Sequence, residues 1–149
     1  MRAVVQRVRR AEVRVKDNVV GRIGPGLVVL VGIAKEDTIE AGKALAEKIV
    51  RMRIFDGQDG RMNLDVREAG GAVLAVSEFT LYGDCRKGRR PSYTDAASPG
   101  EALPLYQAFV ESLKALGMKV ETGEFRAMME VDLVNDGPVT LLLDSERTF

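Results

Sequence analysis

Between Gly24-Pro25-Gly26 and Lys35 the chain runs Leu27-Val28-Val29-Leu30-Val31-Gly32-Ile33-Ala34 without a charged side chain. A breaker cluster ahead of a nearly continuous, β-branched apolar run predicts a strand over 27–33 buried on both faces, and the run is far too short to span a membrane. Upstream, Val13 and Val15 alternate with Glu12, Arg14 and Lys16, and Asp17-Asn18 turns the chain into 19–23. Period-two alternation on both sides of a turn predicts a hairpin.

Around Asp37 and Thr38 the period lengthens. Ile39, Ala46, Ile49 and either Leu45 or Met52 recur at helical spacing behind an N-cap. The helix ends near Ile54-Phe55, ahead of a loop with two Asp-Gly pairs, and a short strand is expected over 63–66. Gly70-Gly71 opens a strand over 72–76 that leads directly into Ser77-Glu78-Phe79-Thr80-Leu81. A polar loop over 83–98 closes on Ser98-Pro99-Gly100-Glu101, a capping box with proline at the first helical position. Ala102, Leu105, Tyr106, Phe109, Leu113 and Leu116 keep one face of this second helix, and Gly117 ends it. Strands are expected over 120–125, 128–134 and 139–143, the last two joined tightly through Asn135-Asp136-Gly137-Pro138. Seven or eight strands, two helices and mostly short turns imply one antiparallel-rich α+β domain over 1–149, not a doubly wound sheet.

Composition narrows the chemistry. There is no histidine and one cysteine, so a Ser-His-Asp triad, a Cys-His pair, a His-ligated metal, an internal disulfide and a multi-cysteine zinc site are all excluded within this chain. With 22 basic and 22 acidic side chains there is no global pull toward nucleic acid, and an RNA partner has to be held by a local basic patch. Gln6, Arg7, Arg9 and Arg10 interrupt the start before an export signal forms, so a cytoplasmic location is expected, with neither a membrane nor DNA as partner.

Four places carry candidate chemistry. Thr80 follows a buried strand, where its hydroxyl either faces a cleft or is ordinary strand material; without an adjacent base it is a poor nucleophile. Gly137-Pro138 is either a plain turn or a place where backbone carbonyls approach a ligand closely. Arg86, Lys87, Arg89 and Arg90 place four cations in five positions, as a solvated loop or a phosphate-holding patch. Cys85, beside Asp84 and Arg86, is a candidate thiolate that lacks a partner base, and Asp56, Asp59 and Asp65 lack calcium-loop spacing.

Taken in order, Met1-Arg2-Ala3-Val4-Val5-Gln6-Arg7-Val8, Ser77-Glu78-Phe79-Thr80-Leu81, Lys87-Gly88-Arg89-Arg90-Pro91-Ser92 and Asn135-Asp136-Gly137-Pro138-Val139-Thr140 resemble the D-aminoacyl-tRNA deacylases, the D-tyrosyl-tRNA deacylase family, across essentially the whole chain. The resemblance implies curved, barrel-like, layered sheets packed on two helices, a homodimer with a cleft near its interface, and hydrolysis of the ester between a D-amino acid and the terminal adenosine of tRNA. It implies that Gly137 and Pro138 form a cis peptide entering the partner's site, where carbonyls bind the amino group and crowd out an L side chain. The N–H groups of Phe79 and Thr80 would stabilise the oxyanion, Thr80 would position water, and Ser77 and Glu78 would contact substrate. Arg86, Lys87, Arg89 and Arg90 would meet tRNA phosphates. No protein histidine is required, because the family relies on main-chain groups and the RNA's own 2′-hydroxyl; no metal and no cofactor are expected, and glycyl-tRNA is an expected further substrate. Glu78 stands where the family usually has Gln, and beside RNA it needs a neutralising cation such as Arg7. Two other readings make different predictions: a noncatalytic RNA-binding module built on the basic loop, and an esterase with Cys85 as nucleophile.

Overall fold

A strand of fourteen residues organises the molecule: β1, Arg2–Val15, has neighbours on both edges along almost its entire length. In the computed structural model, which describes residues 1–149, its first half pairs antiparallel with β3 (Gly26–Gly32) and its second half with β2 (Asn18–Ile23). The predicted hairpin is present, with Val15 opposite Asn18. β3 then pairs in parallel with β6 (Ala72–Ser77), and β6 in parallel with β7 (Val120–Thr122). The sheet is therefore mixed. Its parallel part arises because each helix is a crossover: α1 (Ile39–Arg51) lies between β3 and β6 in the chain, and α2 (Pro99–Ala115) between β6 and β7. Beyond α1 a small hairpin pairs β4 (Phe55–Asp56) with β5 (Met62–Leu64), at the expected short strand.

The apolar run of β3 is explained by two cores. Leu27, Val29 and Val31 enter a cluster with Leu45, Ile49, Phe109 and Leu113 from the helices, whereas Val28 faces Val8, Val13, Leu74 and Val76 on the other side. β6 divides the same way, with Val73 and Ala75 toward the helices. The sheet curls until β2 approaches β7: a Cβ on Gly21 would lie 2.4 Å from the Thr122 carbonyl oxygen. The result is a nearly closed, barrel-like sheet covered by two helices.

Both helices start and stop where local chemistry dictates. The Thr38 hydroxyl accepts from the Ala41 N–H at 3.2 Å, capping α1. The Glu101 carboxylate accepts from the Ser98 N–H at 3.0 Å and the Ser98 hydroxyl at 2.6 Å. At the far end of α2, Gly117 (φ +86°) donates to Lys114 and Met118 donates to Leu113, the two bonds of a Schellman motif. No helix is long and apolar enough to cross a membrane.

Two stability results follow from this packing. A Cβ on Gly26 would lie 1.9 Å from the Ala72 carbonyl oxygen, within the parallel β3–β6 ladder, whereas Gly24 has open space. Gly26→Ala is expected to cost about 2–3 kcal/mol in urea unfolding and Gly24→Ala close to nothing; similar values for both would contradict the close approach. Tyr106, inside the helix-side core, donates its hydroxyl to the Ala75 carbonyl at 3.0 Å, and burial pushes its phenol from 10.0 up to about 12. Its contribution is complete below pH 10 and lost as the pH rises through about 12, because the unfolded side chain ionises first. Urea midpoints should fall across that window, less steeply in Tyr106→Phe; equal slopes would remove Tyr106 as a cause.

The end of the chain differs from expectation. The segments read as two strands joined by a tight turn are one strand, β8 (Glu130–Asp144), antiparallel to β1 throughout. Between the pairs Gln6–Thr140 and Val8–Asn135, β1 has the single residue Arg7 while β8 loops out residues 136–139. The Asn-Asp-Gly-Pro signal marks this outward loop, because the Asn135 amide donates to the carbonyls of Arg7 and Val139, both at 2.9 Å, and bridges the interrupted ladder.

Candidate active site

β6 ends at Ser77, and the next N–H, from Glu78, still bonds the Val31 carbonyl at 2.8 Å. The chain then tightens into a 3-10 turn, Phe79–Tyr82, directly after the expected strand. In such a turn the first N–H groups have no carbonyl behind them, and those of Phe79 and Thr80 donate to no turn or loop carbonyl. Both residues are exposed.

Neighbours hold this turn from both sides. The Arg2 guanidinium donates to the Leu81 carbonyl at 3.2 Å and lies 4.6 Å from the Tyr82 ring centre. The rings of Phe79 and Tyr93 meet edge-on at 5.1 Å. Burial, with the Asp37 and Asp144 carboxylates nearby, raises the Tyr82 phenol above its ordinary pKa, so it stays protonated.

The turn opens on a cavity of about 620 Å³, lined also by residues 125–129 and by Ile33, Val76 and Ala102. Ser77, Glu78, Phe79 and Thr80 all line it. Its lining is mostly apolar; Glu78 and Arg126 carry the only charged side chains. The Thr80 hydroxyl donates to the Glu78 carboxylate. Arg7 is not the counter-ion of Glu78: its guanidinium is buried elsewhere, against Ile54, Asp56 and Asp136.

That engagement belongs to the looped-out segment of β8. Arg7 donates to the Ile54 carbonyl at 2.7 Å and approaches the Asp136 carboxylate at 3.2 Å and that of Asp56 at 3.7 Å. Arg9 reaches Asp136 at 3.4 Å, and the Gln6 amide donates to the Thr140 hydroxyl at 3.2 Å. A loop pinned at both shoulders presents Gly137 and Pro138 outward, exposed, through a cis peptide bond. Neither residue lines the cavity within one chain.

The basic loop is a separate projection closed by reciprocal backbone bonds between Asp84 and Ser92, at 2.7 and 3.0 Å. Two hydrogen bonds from the Arg86 side chain, at 2.9 and 2.8 Å, hold the Asp84 carboxyl down at about 2. Lys87, Arg89 and Arg90 have no ion-pair partner. Cys85 is exposed and outside the cavity lining. Asp65 is buried as a turn cap, accepting from the N–H groups of Arg67 and Glu68, and Asp59 accepts from Arg61; no group of three metal-ligating side chains forms.

This arrangement, two free N–H groups at the edge of an apolar cavity, can receive an anionic oxygen. The family model described as D-Tyr-tRNA(Tyr) deacylase matches residues 4–144. The chain belongs to the D-Tyr-tRNA(Tyr) deacylase family. Members named D-aminoacyl-tRNA deacylase include that of Symbiobacterium thermophilum, 61% identical over all of this chain and 99% of the relative. That of Thermosipho africanus is 58% identical over the full length of both. Among solved structures, c-Myc DNA Unwinding Element Binding Protein is 36% identical with a TM-score of 0.91, over 97% of this chain and 98% of that one. The structure of "a probable eukaryotic D-amino acid tRNA deacylase" shares the fold at a TM-score of 0.82 and 18% identity, over 95% and 97%. This deacylase-family chain is accordingly an enzyme, a hydrolase.

The residues that sequence reasoning named divide into two groups. Ser77 to Thr80 converge on the cavity, whereas Gly137, Pro138 and the basic loop stand apart from it. Arg126 went unnoticed, since a single arginine between Phe125 and Ala127 has no local pattern to announce it.

Proposed function

We propose that the chain hydrolyses the ester of D-aminoacyl-tRNA, releasing the D-amino acid and tRNA, as a chiral proofreading step in the cytoplasm. The observation that carries this reading is the pair of unengaged N–H groups at Phe79 and Thr80 beside the cavity, in a chain without histidine. Water, positioned by the Thr80 hydroxyl, adds to the ester carbonyl carbon. The carbonyl oxygen becomes an oxyanion that accepts from the two N–H groups, each contributing about 3 kcal/mol to the transition state. The bond to the ribose oxygen then breaks; that oxygen leaves with a proton relayed from water through the neighbouring ribose hydroxyl. Glu78 and Ser77 contact the terminal adenosine, and Arg86, Lys87, Arg89 and Arg90 meet phosphates farther along the tRNA.

The site is completed by a second copy of the chain. Phe79, Met128 and Val131 are exposed apolar residues around the cavity, and Met128 is 92% exposed, a surface suited to cover by another protomer. From that protomer, the Gly137 and Pro138 carbonyls accept from the substrate's ammonium and leave room for a D side chain only. Glycine has no side chain to exclude, so glycyl-tRNA is also cleaved.

Hydrolysis of D-tyrosyl-tRNA in ¹⁸O-water tests the reaction. The label is expected in the carboxylate of released D-tyrosine and not in the tRNA. No release, or release without label, would contradict hydrolysis at the carbonyl carbon.

A further inference from the structure

The cavity contains one cation, and it sits on backbone that disfavours it. Arg126 occupies the third position of a turn closed by the Ala127 N–H on the Glu124 carbonyl at 3.2 Å, with φ +66°. A positive φ at that position normally calls for glycine, and an L side chain there costs on the order of 1–2 kcal/mol. No carboxylate compensates: Arg126 has no ion-pair partner, and it is the one cation among the cavity's lining residues. Packing holds the turn in place, since the Phe125 ring stacks on Tyr106 at 5.9 Å. A backbone outlier that presents a free guanidinium to the catalytic cavity is explained by a ligand.

That ligand must be anionic and close to the scissile ester. The cations of the basic loop do not line the cavity, which leaves Arg126 as the cation that does. Resting on the deacylase reading above, we propose that Arg126 binds the phosphate of the 3′-terminal nucleotide of the substrate. It fixes that nucleotide in the cavity that Glu78 also lines, so that the ester carbonyl meets the N–H groups of Phe79 and Thr80. Arg126 is a binding residue, with no part in proton transfer.

The test measures binding of two non-hydrolysable analogues, 3′-(D-tyrosylamino)-3′-deoxyadenosine with and without a 5′-phosphate. In the unaltered protein the phosphate should tighten binding about five- to tenfold, as expected for a charge-assisted contact. In Arg126→Gly that ratio should fall to about one while thermal stability holds or rises, and in Arg126→Lys it should survive in part. Arg147→Gly removes another exposed arginine with positive φ (+56°) outside the cavity lining, and should keep the full ratio. A ratio unchanged in Arg126→Gly overturns the assignment. Failure of the unaltered protein to bind either analogue overturns both the assignment and the deacylase reading. The expected binding pattern with D-tyrosyl-tRNA left intact contradicts the deacylase reading alone.

Discussion

Phe79→Pro is expected to lower kcat on D-tyrosyl-tRNA about 10²–10³-fold relative to Phe79→Ala, because the two variants lose the same ring and differ in one N–H group. Proline suits the position. It is the first residue of the 3-10 turn, and Glu78 before it, at φ −138° and ψ 84°, is outside the helical region that a following proline disfavours. Phe79→Ala keeps the donor and loses the edge-on contact with Tyr93, so it reports the cost of loosening the turn. Thr80→Val keeps the Thr80 N–H and removes only the hydroxyl that donates to Glu78; its loss should stay below about tenfold. Equal activity in Phe79→Pro and Phe79→Ala would remove the main-chain donor from the mechanism. A loss in Thr80→Val as large as in Phe79→Pro would restore a side-chain nucleophile.

Arg7→Ala is the second large effect, and it reaches activity through structure. Its side chain is only 7% exposed and joins β1 to the Ile54 carbonyl, to Asp136 and to Asp56. Removing one partner of a buried ion pair costs about 3–5 kcal/mol, and the partial exposure of Asp136 and its second partner Arg9 place this case near the lower figure. Urea unfolding measures that loss. Arg7→Lys delivers a point charge where several acceptors need a planar fork, so it should recover less than half. The same substitution frees the 136–139 loop at one shoulder, so the preference for D over L substrate should narrow while hydrolysis of glycyl-tRNA falls less. In a double-mutant cycle with Asp136→Ala the two losses should be strongly non-additive. Additive losses would separate Arg7 from the loop.

What the sequence made legible was local. The β1–β2 hairpin, the Thr38 cap, the Ser98–Glu101 capping pair and the Gly117 stop all depend on neighbours within a few residues, and β3 is marked by one contiguous apolar run; each is present. Elements set by distant partners were misread. Asn-Asp-Gly-Pro carries every signal of a reversing turn, yet the chain continues along β1, because Gln6 and Arg7, more than 120 residues earlier, hold its shoulders. The parallel pairing of β3, β6 and β7 is likewise absent from any single segment; it follows from where the crossover helices pack. Nothing in 77–81 announces the 3-10 turn at Phe79–Tyr82, since Phe, Thr and Tyr are also good strand residues; Arg2 on the Leu81 carbonyl and the buried Tyr82 outweigh that propensity.

The candidate site was half legible for the same reason. Residues 77–80 form one motif that stays together in space, and the cavity confirms only their grouping. Arg7 looked like one of several N-terminal arginines; it is buried where the β1–β8 register shifts and residues 136–139 loop out opposite it. Glu78 looked in need of a cation and instead accepts the Thr80 hydroxyl.

The most direct measurement is the pair of single-turnover rates on D-tyrosyl-tRNA and L-tyrosyl-tRNA with one preparation of the protein. Hydrolysis by backbone donors behind a stereochemical filter predicts that the D rate exceeds the L rate by at least about a hundredfold. Equal rates, or cleavage of the L substrate alone, would contradict it.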